Sequence, residues 1–75
     1  MDRLALMERL ALVEEHVAVG QRSIETQRRI VAELERNGND STQATSLLKD
    51  FEQLQERHLA DRDRLKMELA RIGNV

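Results

Sequence analysis

The chain lacks cysteine, proline, tryptophan and tyrosine, Phe51 is its one aromatic residue besides two histidines, and only three of its 75 residues are glycine. Without cysteine there is no disulfide framework, no thiolate zinc set and no thiol nucleophile, a pattern that fits a reducing compartment. A lone aromatic leaves no platform on which bases could stack. Glycine this sparse forms no phosphate-cradling loop. Long apolar runs are also missing. The opening Met1 to Arg9 interrupts its apolar residues with charges too often for a signal peptide, and no stretch approaches the roughly 18 apolar residues of a membrane span. The expectation is a cytoplasmic protein with no membrane association. Neither sign of charge dominates, because residues 1 to 36 carry seven acids and six bases, residues 40 to 75 carry the same, and the net charge is −2. No half is a basic arm or an acidic tail.

What remains is abundant Leu, Ala, Glu and Arg, with 35% of residues charged, the composition of long helices and coiled coils. From Leu6 the apolar steps alternate four and three through Leu10, Val13, Val17, Gly20, Ile24, Gln27, Val31 and Leu34. Those are heptad a and d positions, the mark of a helix packed along a seam. Folding the chain back at Asn39 pairs Leu34 with Ala44, Val31 with Leu47, Ile24 with Leu54, Val13 with Leu65 and Leu6 with Ile72, the numbers in every pair adding to 78. Such reflection is what two antiparallel helices of equal rise require. The expected fold is all-α: one domain over 1–75, with a helix over about 2–37, a turn over 37–40 and a helix over about 41–72. Asp2 caps the first helix and Gly38 ends it. Asp40 caps the second, with Gln43 at capping-box spacing.

The second seam reads Ala44, Leu47, Phe51, Leu54, His58, Arg62 or Asp61, Leu65, Leu69 and Ile72, with a stutter near His58. In this register Glu14 lies beside Arg64, and Arg28 beside Asp50. Apolar residues off the seam need another explanation, since a hairpin has one internal seam. Leu12, Val19 and Ile30 of the first helix, with Leu48, Leu59 and Leu69 of the second, form a candidate dimer face. The semi-polar residues His16, Ser23, Gln55 and Arg62 run along it and could set register. Two hairpins joined there make a four-helix bundle, a route to stability for a chain too short to build a large core alone.

His58 faces Gly20 in this register. The plainer reading is steric complement, the imidazole filling the space glycine leaves. The sharper one is a pH or metal site with His16 and Asp61. Bundle di-metal sites use Glu-x-x-His, and the stretch Gln55-Glu56-Arg57-His58 carries Gln in the Glu place. The sequence therefore offers no metal ligand, no cofactor site and no catalytic residue. Ser23, Ser41 and Ser46 have no His and carboxylate at informative spacing.

The expected function is a non-catalytic, homodimeric interaction module that binds another protein. The alternative is a nucleic-acid-binding regulator, because the hairpin resembles in architecture the Rop family of plasmid copy-number regulators, which implies dimerisation and RNA binding. The interleaved acids and the pI near 5.6 oppose phosphate attraction. The stretches HVAVGQRSIETQRRIVAELERNGND and STQATSLLKDFEQLQERHLADRDRL, within residues 16 to 65, look like a group of short uncharacterised bacterial proteins. That resemblance implies a small bacterial helical protein and transfers no functional residue.

Overall fold

The Asp2 side chain starts the first helix. Its carboxylate accepts the Ala5 N–H at 2.7 Å while its own backbone is extended, satisfying one of the unpaired donors of the first turn. Helix α1 then runs Arg3–Arg36. It stops because Gly38 takes φ +72°, a left-handed backbone that costs a residue without Cβ little. With that turn made, the Gly38 N–H reaches the Glu35 carbonyl at 3.1 Å and the Asn39 N–H reaches the Leu34 carbonyl at 2.8 Å. These two bonds form the Schellman arrangement that closes off the last carbonyls.

Helix α2 runs Thr42–Gly73. Its start differs by one residue from the cap expected at Asp40. Ser41 is the boundary residue, its carbonyl accepting the Thr45 N–H at 2.8 Å. The Asp40 carboxylate sits one position earlier and accepts both the Thr42 N–H at 3.0 Å and the Thr42 hydroxyl at 2.6 Å. Those two donors, the hydroxyl foremost, hold the Asp40 carboxyl below its ordinary pKa.

The computed structural model describes residues 2–73, and among them the fold is the antiparallel two-helix hairpin that the mirrored pattern implies, a rod of 59 × 15 × 14 Å. No helix among the described residues is long and apolar enough to cross a membrane.

The α1 stripe follows the expected positions: Leu6, Val13, Ile24 and Gln27 are buried, and Leu10, Val17, Gly20, Val31 and Leu34 half-buried. The α2 stripe does not. Leu47 and Leu54, expected on the seam, are 43% and 48% exposed. Leu48 and Gln55 take their places. The stripe becomes Ser41, Ala44, Leu48, Phe51, Gln55, His58, Arg62, Leu65, Leu69 and Ile72, all buried or half-buried. Its steps alternate three and four throughout, so no stutter occurs at His58.

Partners across the seam move accordingly. Gln55, not His58, lies over Gly20, and His58 lies beside His16. A side-chain amide explains the shift. Gly20 leaves a hollow in α1 that the Gln55 amide fills, and from there Gln55 Nε2 donates to the Val17 carbonyl at 2.9 Å. Gln27 makes the reciprocal reach, its Nε2 donating to the Ala44 carbonyl at 2.9 Å. Each amide crosses to the backbone of the other helix, so axial sliding breaks both bonds. At about 0.5–1.5 kcal/mol apiece they are modest in strength but strict in position.

The apolar core gathers toward the open end of the hairpin, where Leu6, Val13 and Leu65 pack with Leu10, Leu69 and Ile72. The two charge pairs expected across the seam are not the ones formed. Arg28 meets Glu52 at 3.3 Å rather than Asp50, and Arg64 bonds Asp61 of its own helix at 2.8 Å rather than Glu14. Both are well exposed and contribute only about 0–1 kcal/mol each.

Candidate functional site

Moving Leu47 and Leu54 off the seam gives one side of the rod a largely apolar surface, interrupted by His16, Ser23 and His58. On α1, Leu12 and Val19 are seven residues apart and Ile30 eleven further on, spacings that return to the same face. On α2, Leu47, Phe51, Leu54 and His58 recur at four, three and four. The two rows run side by side. Val19, Ser23, Phe51 and Leu54, with both histidines, Gly20 and Gln55, border one shallow cleft of about 300 Å³. Leu12 is 53% exposed, Val19 47%, Ile30 41%, and with Leu47 and Leu54 they leave five large aliphatic side chains about half wet. Five such residues in two adjacent rows form a patch, whereas isolated exposed leucines would mean nothing.

The residues expected on the dimer face therefore divide. Leu12, His16, Val19, Ser23 and Ile30 lie together on this surface. Leu48 is half-buried on the seam, and Gln55 is buried between the helices at 7% exposure. Arg62, half-buried on the seam, opens toward the opposite side, where it shares a groove with Glu14, Gln21, Glu25 and Lys66. Leu59, seven residues before Lys66, shares that side. Leu69 packs on the core and borders Met7, Leu10 and Glu14. The α2 contribution to the face comes from Leu47, Phe51, Leu54 and His58, residues that the sequence reading had placed inside. The signal that could have found them is the uninterrupted three-four stripe through Gln55, passed over because a polar residue occupies it.

The electrostatics separate the two flanks. The groove opposite the apolar face mixes Arg22, Arg62 and Lys66 with Glu14 and Glu25, and so presents no field of one sign. On the apolar side Arg22 borders Val19, Ser23 and Phe51, and the other ionisable groups gather around the two histidines. His16 and His58 approach with ring centroids 5.2 Å apart and planes tilted by 47°. Glu8, Arg9 and Asp61 border them toward the open end. Among the described residues no three His, Asp or Glu side chains converge on one metal position. One turn before His58, Gln55 Oε1 is buried against Gly20 without a hydrogen-bond partner. A buried acceptor left unsatisfied is costly, about 1–3 kcal/mol, which makes it a feature to account for.

No protein-family model matches the chain, and neither the curated proteins nor the solved structures include a match to it.

Proposed function

We propose that the hairpin is a non-catalytic interaction module. Two copies pack their Leu12, Val19, Ile30, Leu47 and Leu54 faces together as a four-helix bundle, and the outer sides of that bundle bind another protein. The observation that carries this reading is the apolar face, and the surface area supports it. A globular monomer of 8.7 kDa exposes about 4,700 Å² by mass scaling, whereas this rod exposes 5800 Å². The excess of roughly 1,000 Å² is close to the roughly 800 Å² that each partner contributes to a standard interface. Covering one long face with a second copy brings the chain to the exposure expected of a protein its size.

Protein is the favoured partner because the mixed charges of the other side suit varied polar contacts and no single ligand chemistry. The architectural likeness to Rop-type hairpins motivates an RNA-binding alternative. Weighing against it, Arg22, Arg62 and Lys66 share their groove with Glu14 and Glu25. Phosphate binding would need those acids gone. The resemblance to short bacterial proteins makes a bacterial cytoplasm the setting of this reading.

Sedimentation at micromolar concentration tests the dimer. The native chain should run as two copies, and Leu54→Glu should dissociate it while leaving the helix content of each hairpin intact. A helical monomer for the native chain would overturn the proposal. Affinity purification followed by mass spectrometry tests the protein partner, and salt-dependent retention on RNA tests the alternative.

A further inference from the structure

His16 and His58 stand on different helices, yet their ring centroids are 5.2 Å apart. Zinc binds imidazole nitrogen at about 2.0–2.1 Å, which puts each ring centre about 3.2 Å from the ion, so two rings at a tetrahedral angle have centres about 5 Å apart. Ligands at right angles, as octahedral geometry demands, would bring them to about 4.5 Å. The separation therefore suits two corners of a tetrahedron. His16 is exposed and His58 half-buried, so an ion can reach both.

Two corners are not a site. Asp61 is nearby but its carboxylate is engaged by Arg64 at 2.8 Å, and no third ligand joins the pair among the described residues. The pair nevertheless borders the same cleft as Val19 and Leu54, on the face that meets a second copy. That copy brings the same two imidazoles. We propose, resting on the dimer reading above, that His16 and His58 of each of two copies together hold one divalent transition ion of the zinc type at the joint.

Two further observations fit. A metal-bound imidazole steadies itself by donating its remaining N–H to an oxygen. Gln55, one turn before His58, borders the same cleft, and its Oε1, packed against Gly20, is an acceptor without a donor. The charged groups that face the pair are Glu8 and Arg9 from α1 and Asp61 from α2, the last paired with Arg64, a set with no net positive charge to repel a cation.

The site also selects the way the hairpins stack. His16 is thirteen residues past Arg3, about 20 Å from the open end at 1.5 Å per residue, in a rod 59 Å long. With helix α1 about 50 Å long, fully overlapped hairpins pointing in opposite directions would hold their histidine pairs about 10 Å apart, too far for one ion to join them. At full overlap a shared ion therefore selects two copies lying the same way up, with both turns at one end.

Zinc alone, added to the full chain, tests the proposal by metal analysis and sedimentation together. One ion per two chains is expected, with the dimer fraction rising on zinc addition. His16→Ala and His58→Ala should each weaken zinc binding at least tenfold without loss of helix content. Cobalt in place of zinc should give the intense visible absorption of tetrahedral coordination. A spin label on Asn39→Cys, the one thiol in such a chain, should report a turn-to-turn distance well under half the rod length. Binding no tighter than in the double histidine variant, one ion per monomer, or labels a rod length apart would each overturn the site. A stable dimer indifferent to zinc overturns this inference and leaves the dimer reading standing. A chain monomeric with and without zinc overturns both.

Discussion

Replacing Gly20 by alanine tests the seam at its most specific contact, because two effects of known size oppose each other there. In a helix interior the exchange normally stabilises by about 0.8–1.0 kcal/mol, through backbone entropy. Here the new Cβ would collide with Gln55 Oε1 and stand 2.9 Å from Gln55 Cδ, closer than such atoms approach. The amide must swing out. It then loses its bond to the Val17 carbonyl, about 0.5–1.5 kcal/mol, and Nε2 joins Oε1 in being unsatisfied at about 1–3 kcal/mol if it stays buried. Gly20→Ala alone should therefore destabilise by about 0–2 kcal/mol, whereas in a Gln55→Ala background it should stabilise by about 1. The coupling in a double-mutant cycle is then about 1–3 kcal/mol, against the roughly 0.5 within which independent sites add. Urea unfolding followed by circular dichroism measures it, at one chain concentration, since the stability of an associating protein depends on concentration. Additive variants would refute the packing of Gln55 on Gly20. Coupling of Gly20 to His58 instead would restore the register in which those two residues face each other.

Three further outcomes follow from the same contacts. Leu6 is 1% exposed at the centre of the core, so Leu6→Ala should cost about 2–5 kcal/mol in thermal unfolding, and a loss under 1 would mean the open end of the hairpin is not packed as described. Gly38→Ala forces a Cβ into φ +72° and should cost about 1–2 kcal/mol; an unchanged midpoint would show that the turn does not need a left-handed residue. The Asp40 carboxyl, held below its ordinary value near 3.8 by Thr42, has a lower pKa folded than unfolded, so its contribution is complete above that ordinary value and lost as pH falls through the folded one. Acid unfolding of Asp40→Asn should accordingly show a shallower pH dependence below about pH 4 than the native chain, and identical acid limbs would remove the claim.

How much of this could be read in advance depends on which residues act locally. The Asp2 cap and the left-handed Gly38 were legible because each is a contact between residues at most a few positions apart. The cap of the second helix was legible only to within a residue, since Asp40 and Ser41 are both good candidates and the choice falls to the geometry of the turn. The α1 stripe was clear because its three-four alternation has no competitor. In α2 two neighbouring stripes compete, one through Leu47 and Leu54 and one through Leu48 and Gln55, and the first is the more apolar. Hydrophobic counting prefers it, and the fold takes the other.

The open face was half legible for the same reason. Leu12, His16, Val19, Ser23 and Ile30 stood out as surplus to the seam on α1. On α2, Phe51 and His58 keep their place while Leu47 and Leu54 give way to Leu48 and Gln55, a turn of the stripe by about half a residue step, roughly 50°, which is enough to put the two leucines on the open face. That His16 lies near His58 was legible from the mirrored register, which sets them about a turn apart; their direct approach, ring centroids 5.2 Å apart, was decided by the packing.

The order of residues alone determined that this chain makes two long helices, where they break and which stripe of the first is apolar, because propensity, capping and periodicity act over a few positions. Only the tertiary structure decided how far one helix slides and turns against the other. That choice depends on whether a side chain from one helix fits a hollow and a backbone carbonyl on the other, as Gln55 does over Gly20, and complementarity between distant segments leaves no trace in the local pattern of either.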